Sequence, residues 1–230
     1  MPLQAFQRLE KKFEKQIRLF ELKRGALEKT IESRIRRFEE RKRIRLDDEV
    51  RFIRSWIEKP LSIGAVTPSG RVLARAMAAY VDPNAEGPVI ELGPGTGPVT
   101  EALVAQGIEP SRLVLVEFDP TFCRLLRQRY PAANVVQGDA YSLKRLLGGK
   151  LIEPAAAVVS GLPLITKPLK TRLKLLYEAF ALMLPGAPFV QFTYATMPPI
   201  PKALDRVRAQ ASERIWMNIP PARIWVYRKD

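Results

Sequence analysis

Two kinds of apolar spacing divide this chain. In the first part Leu3, Phe6, Leu9, Phe13, Ile17 and Phe20, and then Leu27, Ile31, Ile35 and Phe38, advance in steps of three or four. That spacing stacks them on one face of a helix. Gly25 falls between the two series and predicts a kink or a break between two helices. A shorter helix is expected over residues 49–59, with Phe52, Ile53, Trp56 and Ile57 on one side. Asp47-Asp48-Glu49 puts acid at its start and Pro60 ends it. Residues 61–70 read as a loop, either a plain connector or a lid over a ligand, leading into a helix over 71–80.

Further on, short apolar runs alternate with helical stretches. The runs at 89–92, 112–119, 133–137, 156–160 and 189–194 have the length and composition of buried parallel strands. Helices are expected over 121–129, 170–184 and 201–211, and another starts just after the first strand. Residues 214–218 and 222–227 predict a hairpin across Ile219-Pro220-Pro221, which closes the sheet with an antiparallel strand. Trp216 and Trp225 are expected in the core or at its edge, without a chemical role. Together these elements predict an α/β fold around a seven-stranded sheet. The longest uncharged run, 179–201, could span a bilayer by length. It holds Pro185, Pro188, Pro198, Pro199 and Pro201, so it reads instead as helix end, loop, strand and loop.

Proline marks the boundary between the two parts. Residues 3–59 contain none, whereas 19 of the 20 prolines follow Lys59. The expected organisation is a helical extension over 1–59 and an α/β domain over 60–230. Charge is as uneven. The chain carries 38 Lys and Arg against 24 Asp and Glu, a net charge of +14, and residues 1–46 alone hold 15 basic residues against 7 Glu. Such an excess implies an anionic partner, nucleic acid or an acidic membrane surface. The basic amphipathic segment could pack on its own domain or in a coiled coil. It could also lie in a membrane interface with its Phe and Leu face down, each basic residue there contributing roughly 1 kcal/mol. An RNA-binding arm is the third option, but phosphate contacts need no regular apolar stripe.

The chain has no histidine, which excludes histidine general bases, Ser-His-Asp triads and imidazole metal sites. With a single cysteine, Cys123, neither an intrachain disulfide nor a thiolate zinc site can form, which fits a reducing cytosol. The first residues are charged and lack an apolar core, so no signal peptide is expected.

The candidate chemistry starts at Val89-Ile90-Glu91-Leu92-Gly93-Pro94-Gly95-Thr96-Gly97-Pro98. A strand runs into a tight loop and then a helix N-terminus, where Thr96 or Gly97 can cap and Pro98 suits the first turn. A dinucleotide loop would want its third glycine at position 98. Alternate glycines with an acid two residues before the first resemble instead motif I of the class I S-adenosylmethionine-dependent methyltransferases. The resemblance implies a Rossmann-like seven-stranded fold that binds S-adenosylmethionine and releases S-adenosylhomocysteine. It implies that Glu91, Gly93, Gly95, Thr96 and Gly97 form the cofactor loop. Glu117, at the end of strand two, would accept hydrogen bonds from both ribose hydroxyls, with Phe118 near the adenine face. Asp139 would take the adenine amino group and the backbone of Ala140 the ring edge, although an Asp after a strand is also a common turn or cap residue. Glu91 is expected to be buried and so to need a partner, either the cofactor's ammonium or an ordered water.

Ser160-Gly161-Leu162-Pro163-Leu164 bears on the substrate. Methyltransferases acting on nucleobase or amide nitrogens place Asn or Asp, then a Pro-containing pair, then Tyr or Phe here. The adenine dimethyltransferases of ribosomal RNA share the Glu-Leu-Gly-Pro-Gly-Thr-Gly loop, but in this chain Ser160-Gly161 stands at the Asn end and Leu164 at the aromatic position. A site with neither amide nor stacking ring suits a small amine on an alkyl chain better than a base. Together with Phe52-Ile53-Arg54-Ser55-Trp56 and Gly64-Ala65-Val66-Thr67-Pro68-Ser69-Gly70, the loop resembles the bacterial phospholipid N-methyltransferases of the soluble, membrane-associating type. That resemblance covers roughly residues 50–230. It implies successive methylation of phosphatidylethanolamine to phosphatidylcholine. With the basic amphipathic residues 1–46 on an anionic surface, the enzyme is expected on the cytoplasmic side, at the inner face of the cell membrane. The alternative is an RNA methyltransferase like the ribosomal RNA adenine N6-dimethyltransferases, which fits the charge and the glycine loop but not the Ser160 to Leu164 stretch, so nucleic acid is not the expected partner. Ser160, Gly161 and Leu162 complete the expected cofactor set. Without histidine, the candidate proton acceptors are Tyr194, Tyr141 and Ser160.

Overall fold

The computed structural model describes residues 68–201, 204–218 and 220–230. The expected helices before residue 60, the extension over 1–59 and most of the loop at 61–70 lie outside the described residues. Within them, the chain forms α1 (Pro68–Ala78), β1 (Val89–Leu92), α2 (Pro98–Ala105), β2 (Leu113–Glu117), α3 (Pro120–Arg129) and β3 (Asn134–Gln137). It continues through α4 (Leu143–Leu147), β4 (Ala157–Ser160), α5 (Leu169–Phe180), β5 (Phe189–Thr193), β6 (Val207–Ile215) and β7 (Ala222–Lys229). The strands make one seven-stranded sheet in the order β3-β2-β1-β4-β5-β7-β6.

The first five strands are parallel and β7 runs against both its neighbours. Strand order reverses between β1 and β4, so a crevice opens there at the carboxyl ends of the strands. The central strands carry their apolar run on both faces. Ile90, Leu92, Val158 and Phe189 pack with Leu143, Leu147, Leu175 and Leu176 of α4 and α5. Val89, Leu113, Leu115 and Val190 pack on the other face with Leu73, Met77, Leu103 and Leu126 of α1 to α3. Hydrophobic burial on both sides is what makes a parallel sheet of this kind stable. Among the described residues no helix is long and apolar enough to cross a membrane. The uncharged run at 179–201 divides into the end of α5, a turn, β5 and a loop, as its prolines predict.

The expected helix over 201–211 does not form. Arg206 turns the chain with φ 55°, and β6 begins at Val207. Arg, Ala and Gln there favour a helix locally, but pairing along β7 overrides that preference. Between Ala211 and Arg214 the register shifts by one residue: Ala211 faces Trp225 and Arg214 faces Arg223. This is a β-bulge, and the ladder donor it would strand is satisfied, because Ile224 N–H donates to Ser212 Oγ at 3.0 Å. Trp225 is buried as expected, but Trp216 is 72% exposed.

At the opposite edge of the sheet Arg112, just before β2, binds the β1 entry loop. It donates to Pro83 O at 2.7 Å, to Gly87 O from two nitrogens at 3.0 and 3.1 Å, and to Ala85 O. Bonds from a charged donor contribute about 1.5–3 kcal/mol each where water is excluded. Arg112→Met should therefore lower unfolding stability by about 2 kcal/mol or more in a urea titration. Cofactor affinity, determined at the other edge, should stay within about twofold.

Candidate active site

The glycine loop is built from backbone geometry. Gly93, Gly95 and Gly97 have φ of 68°, 57° and 85°, a region that side chains with a Cβ enter only under strain. Gly93 N–H donates to Val116 O at 2.9 Å, tying the loop to β2, and Gly97 N–H closes a turn onto Pro94 O at 2.9 Å. Gly97 caps α2 and Pro98 is its first residue; Thr96 supplies no side-chain cap. A Cβ on Gly93 would meet Leu162 Cδ2 at 2.9 Å, whereas a Cβ on Gly95 would meet nothing within 4 Å. Gly93 therefore serves the packing of two loops, and Gly95 is the glycine that leaves the crevice open.

Two carboxylates flank this loop. Glu91 is buried, and its partner is Thr100 of α2, whose hydroxyl donates to Glu91 Oε2 at 2.7 Å. Thr100 is a partner within the protein that the sequence reading did not name. The α2 position nine residues on was not singled out from sequence, although a buried strand acid above a helix N-terminus requires some such donor. Burial pushes the Glu91 carboxyl up to about 7, with a smaller upward contribution from the Glu117 charge, against the lowering effect of Thr100. Glu117 ends β2 with its carboxylate held by three backbone donors. Gly95 N–H reaches Oε2 at 3.0 Å, and the N–H groups of Phe118 and Asp119 reach Oε1 at 2.7 and 2.9 Å. A carboxylate offers about four acceptor positions, and these donors occupy three of them. Phe118 next to it is 73% exposed, an uncovered aromatic face at the crevice.

Asp139 follows β3 and is the cap of the short turn at Ala140–Ser142, accepting from Tyr141 N–H at 3.0 Å. The side chain is exposed and Ala140 is buried beneath it. Across the crevice Gly161 N–H donates to Leu92 O at 2.8 Å, and a Cβ on Gly161 would strike Gly93 O at 2.8 Å. Ser160 is buried, and its Oγ accepts weakly from Leu162 N–H at 3.4 Å. Gln191 of β5, not anticipated from sequence, holds this loop. It is fully buried and its amide donates to Leu162 O at 2.9 Å and Phe192 O at 2.8 Å. A glutamine among Phe189-Val190-Gln191-Phe192 was the available signal, since a polar group in such a strand needs partners.

The two candidate tyrosines are not brought together. Tyr141 packs with the α4–α5 face and Tyr194 with the α1–α3 face. Burial, and next the Asp139 charge, push the Tyr141 phenol up to about 12. Its hydroxyl is buried without a hydrogen-bond partner, and Lys167 Nζ lies 5.0 Å from its ring centre. Burial also raises Tyr194, which shares a hydrogen bond with the Asn218 side chain.

The sheet order, the crevice at its reversal, the open Gly95 and the fixed Glu117 beside an uncovered ring suit an adenosyl group, and the protein is a class I S-adenosylmethionine-dependent methyltransferase. The chain is 34% identical over 146 residues to the ornithine lipid N-methyltransferase of Singulisphaera acidiphila, covering 62% of this chain and 76% of that protein. It therefore belongs to the same methyltransferase family as that enzyme. A family model described as ribosomal RNA adenine dimethylase matches residues 71–147. The ribosomal RNA small subunit methyltransferase A of a Synechococcus strain is 37% identical, over 39% of this chain and 30% of that protein. The family match ends before Ser160. Among solved structures, an O-methyltransferase from Bacillus cereus in complex with S-adenosylhomocysteine superposes with TM-score 0.51 at 15% identity, covering 80% of this chain and 90% of that one. TrmN from Thermus thermophilus gives 0.51 at 19% identity, over 70% of this chain and 49% of that one.

Two measurements probe this geometry. The Glu91 carboxyl, raised from 4.5 to about 7, is protonated more readily in the folded than in the unfolded chain. Its contribution to stability is therefore greatest at acid pH and is lost as pH rises from about 4.5 through 7, by about 3 kcal/mol at most. In denaturant melts Glu91→Gln should remove that part of the decline. Gly161→Ala, which sets a methyl against backbone, should weaken S-adenosylhomocysteine binding by at least about tenfold in calorimetry, equivalent to about 1.4 kcal/mol.

Proposed function

We propose that this enzyme methylates the amino nitrogen of a membrane lipid, converting phosphatidylethanolamine and its mono- and dimethyl derivatives to phosphatidylcholine at an anionic membrane surface on the cytoplasmic side. The observation that carries this reading is the likeness to a lipid N-methyltransferase over three quarters of that enzyme's length. The Ser160 to Leu164 loop supports it, since it offers a base neither an amide nor an aromatic face. The relative's name favours a second member of the same substrate class, the primary amine of an ornithine lipid. The basic, amphipathic residues 1–46 are proposed to hold the enzyme on the membrane.

S-adenosylmethionine, when bound, supplies a methyl group on a positively charged sulfur that needs no further activation. Glu91, the loop Gly93 to Gly97, Glu117, Phe118, Asp139, Ala140 and the Ser160 to Leu162 segment are proposed to hold it. The remaining task of the chain is to present a neutral amine in line, so positioning contributes most. Partial exclusion of water lowers the pKa of an amine. With its phenol raised by burial, Tyr141 serves as a hydrogen-bond acceptor for the amine rather than as a phenolate base. Its unpartnered hydroxyl makes it the stronger candidate, because Tyr194 is already engaged by Asn218. Aromatic faces also favour the methylated, cationic products.

With radiolabelled cofactor, label should enter aminolipid in phosphatidylethanolamine or ornithine-lipid vesicles and not ribosomal RNA. Label in RNA alone would overturn the reading, and the preferred vesicle identifies the headgroup. Tyr141→Phe should lower kcat by at least about tenfold with little change in cofactor affinity.

A further inference from the structure

The turn between β6 and β7 places two large apolar side chains in solvent. Trp216 is 72% exposed and Met217 75%. Their position follows from the direction of β7. Because β7 is reversed, Ala222 and Arg223 lie beside the carboxyl end of β5, with Arg223 opposite Thr193 and Ile215 opposite Ala222. The turn therefore projects from the same edge of the sheet as the crevice.

The turn is held firmly. Asn218 is buried, donates to Pro220 O at 2.7 Å and shares a hydrogen bond with Tyr194 at the end of β5. Below the turn Arg214 and Arg223 stand directly opposite each other on neighbouring strands. Like charges so placed destabilise a sheet. Among the described residues neither has an acidic partner, and Arg223 Nε is buried without a hydrogen bond. The Arg214 guanidinium lies 5.9 Å from the Trp216 ring centre. The turn thus carries an indole and a thioether above two arginines that have no acidic partner among the described residues.

We propose that this turn is a membrane contact: Trp216 and Met217 enter the boundary between headgroups and acyl chains of an anionic bilayer, and Arg214 and Arg223 meet lipid phosphates. An indole suits that boundary, having an apolar body and a polar N–H. A patch of two side chains is far smaller than the roughly 1,000 Å² expected of a stable protein interface, and a bilayer imposes no such minimum. The net charge of +14 matches an anionic surface. The inference rests on the lipid reading of the site and deepens it: the contact would set the crevice at the depth of the headgroup amine.

The test uses the full chain carrying Trp56→Phe, so that tryptophan emission comes from Trp216 and the buried Trp225. Vesicles of phosphatidylcholine with phosphatidylglycerol should shift the emission to the blue, and doxyl-labelled lipid should quench it. Adding Trp216→Ala and Met217→Ala should weaken vesicle partition by at least about tenfold, with S-adenosylhomocysteine binding unchanged as a check on folding. Vesicle binding with unaltered emission and undiminished partition of the variant would overturn the proposal. Methyl transfer to detergent-dispersed aminolipid separates the two ideas. If the parent chain methylates that lipid while Trp216 stays silent on vesicles, only the turn is at fault. If Trp216 enters the bilayer but no aminolipid is methylated, the substrate assignment fails and the membrane contact stands.

Discussion

The site depends on the closeness of two backbone segments, the glycine loop after β1 and the turn after β4. Gly161 N–H binds Leu92 O, and no Cβ fits between Gly161 and Gly93 O. Because β1 and β4 are adjacent only where the strand order reverses, this contact fixes one wall of the crevice. Gln191 reinforces it from β5 by holding Leu162 O, and Gly93 N–H ties the other side to β2. The crevice is thus framed by peptide groups, with side chains adding charge and shape.

The division of work between the two carboxylates follows from their surroundings. Glu91 lies in the sheet, gains one hydroxyl donor and holds its proton near neutrality. Glu117 sits at the strand end, where three N–H groups fix its oxygens. A buried carboxyl with a single hydroxyl donor favours its neutral form. The same residue type is thus held by a side-chain hydroxyl in one strand and by peptide donors in the next.

Most of the fold was legible because the central strands are short apolar runs bounded by glycine, proline and acid, and those signals are local. The glycine loop was equally legible, since three left-handed residues at alternate positions admit little else. What escaped the sequence was determined at a distance. β6 read as helix because Ala, Arg and Gln say nothing about the edge offered by β7. Thr100 and Gln191 were passed over because their partners lie nine and 29 residues away. Trp216 was placed in the core or at its edge because an indole is usually at least partly buried, whereas in the hairpin it is exposed.

The bulge at Ser212 and Glu213 has a further consequence. In a regular strand, residues an odd number of positions apart point to opposite sides. The additional residue cancels that alternation, so that Arg214 shares a side with Ala211, three positions earlier. The additional residue is taken up within the bulge: excising one residue there would restore a regular ladder, with Arg214 still opposite Arg223 and the tip of the hairpin facing the same side. A change of length at this point can thus be absorbed without turning the tip or disturbing the packing that stabilises the rest of the sheet.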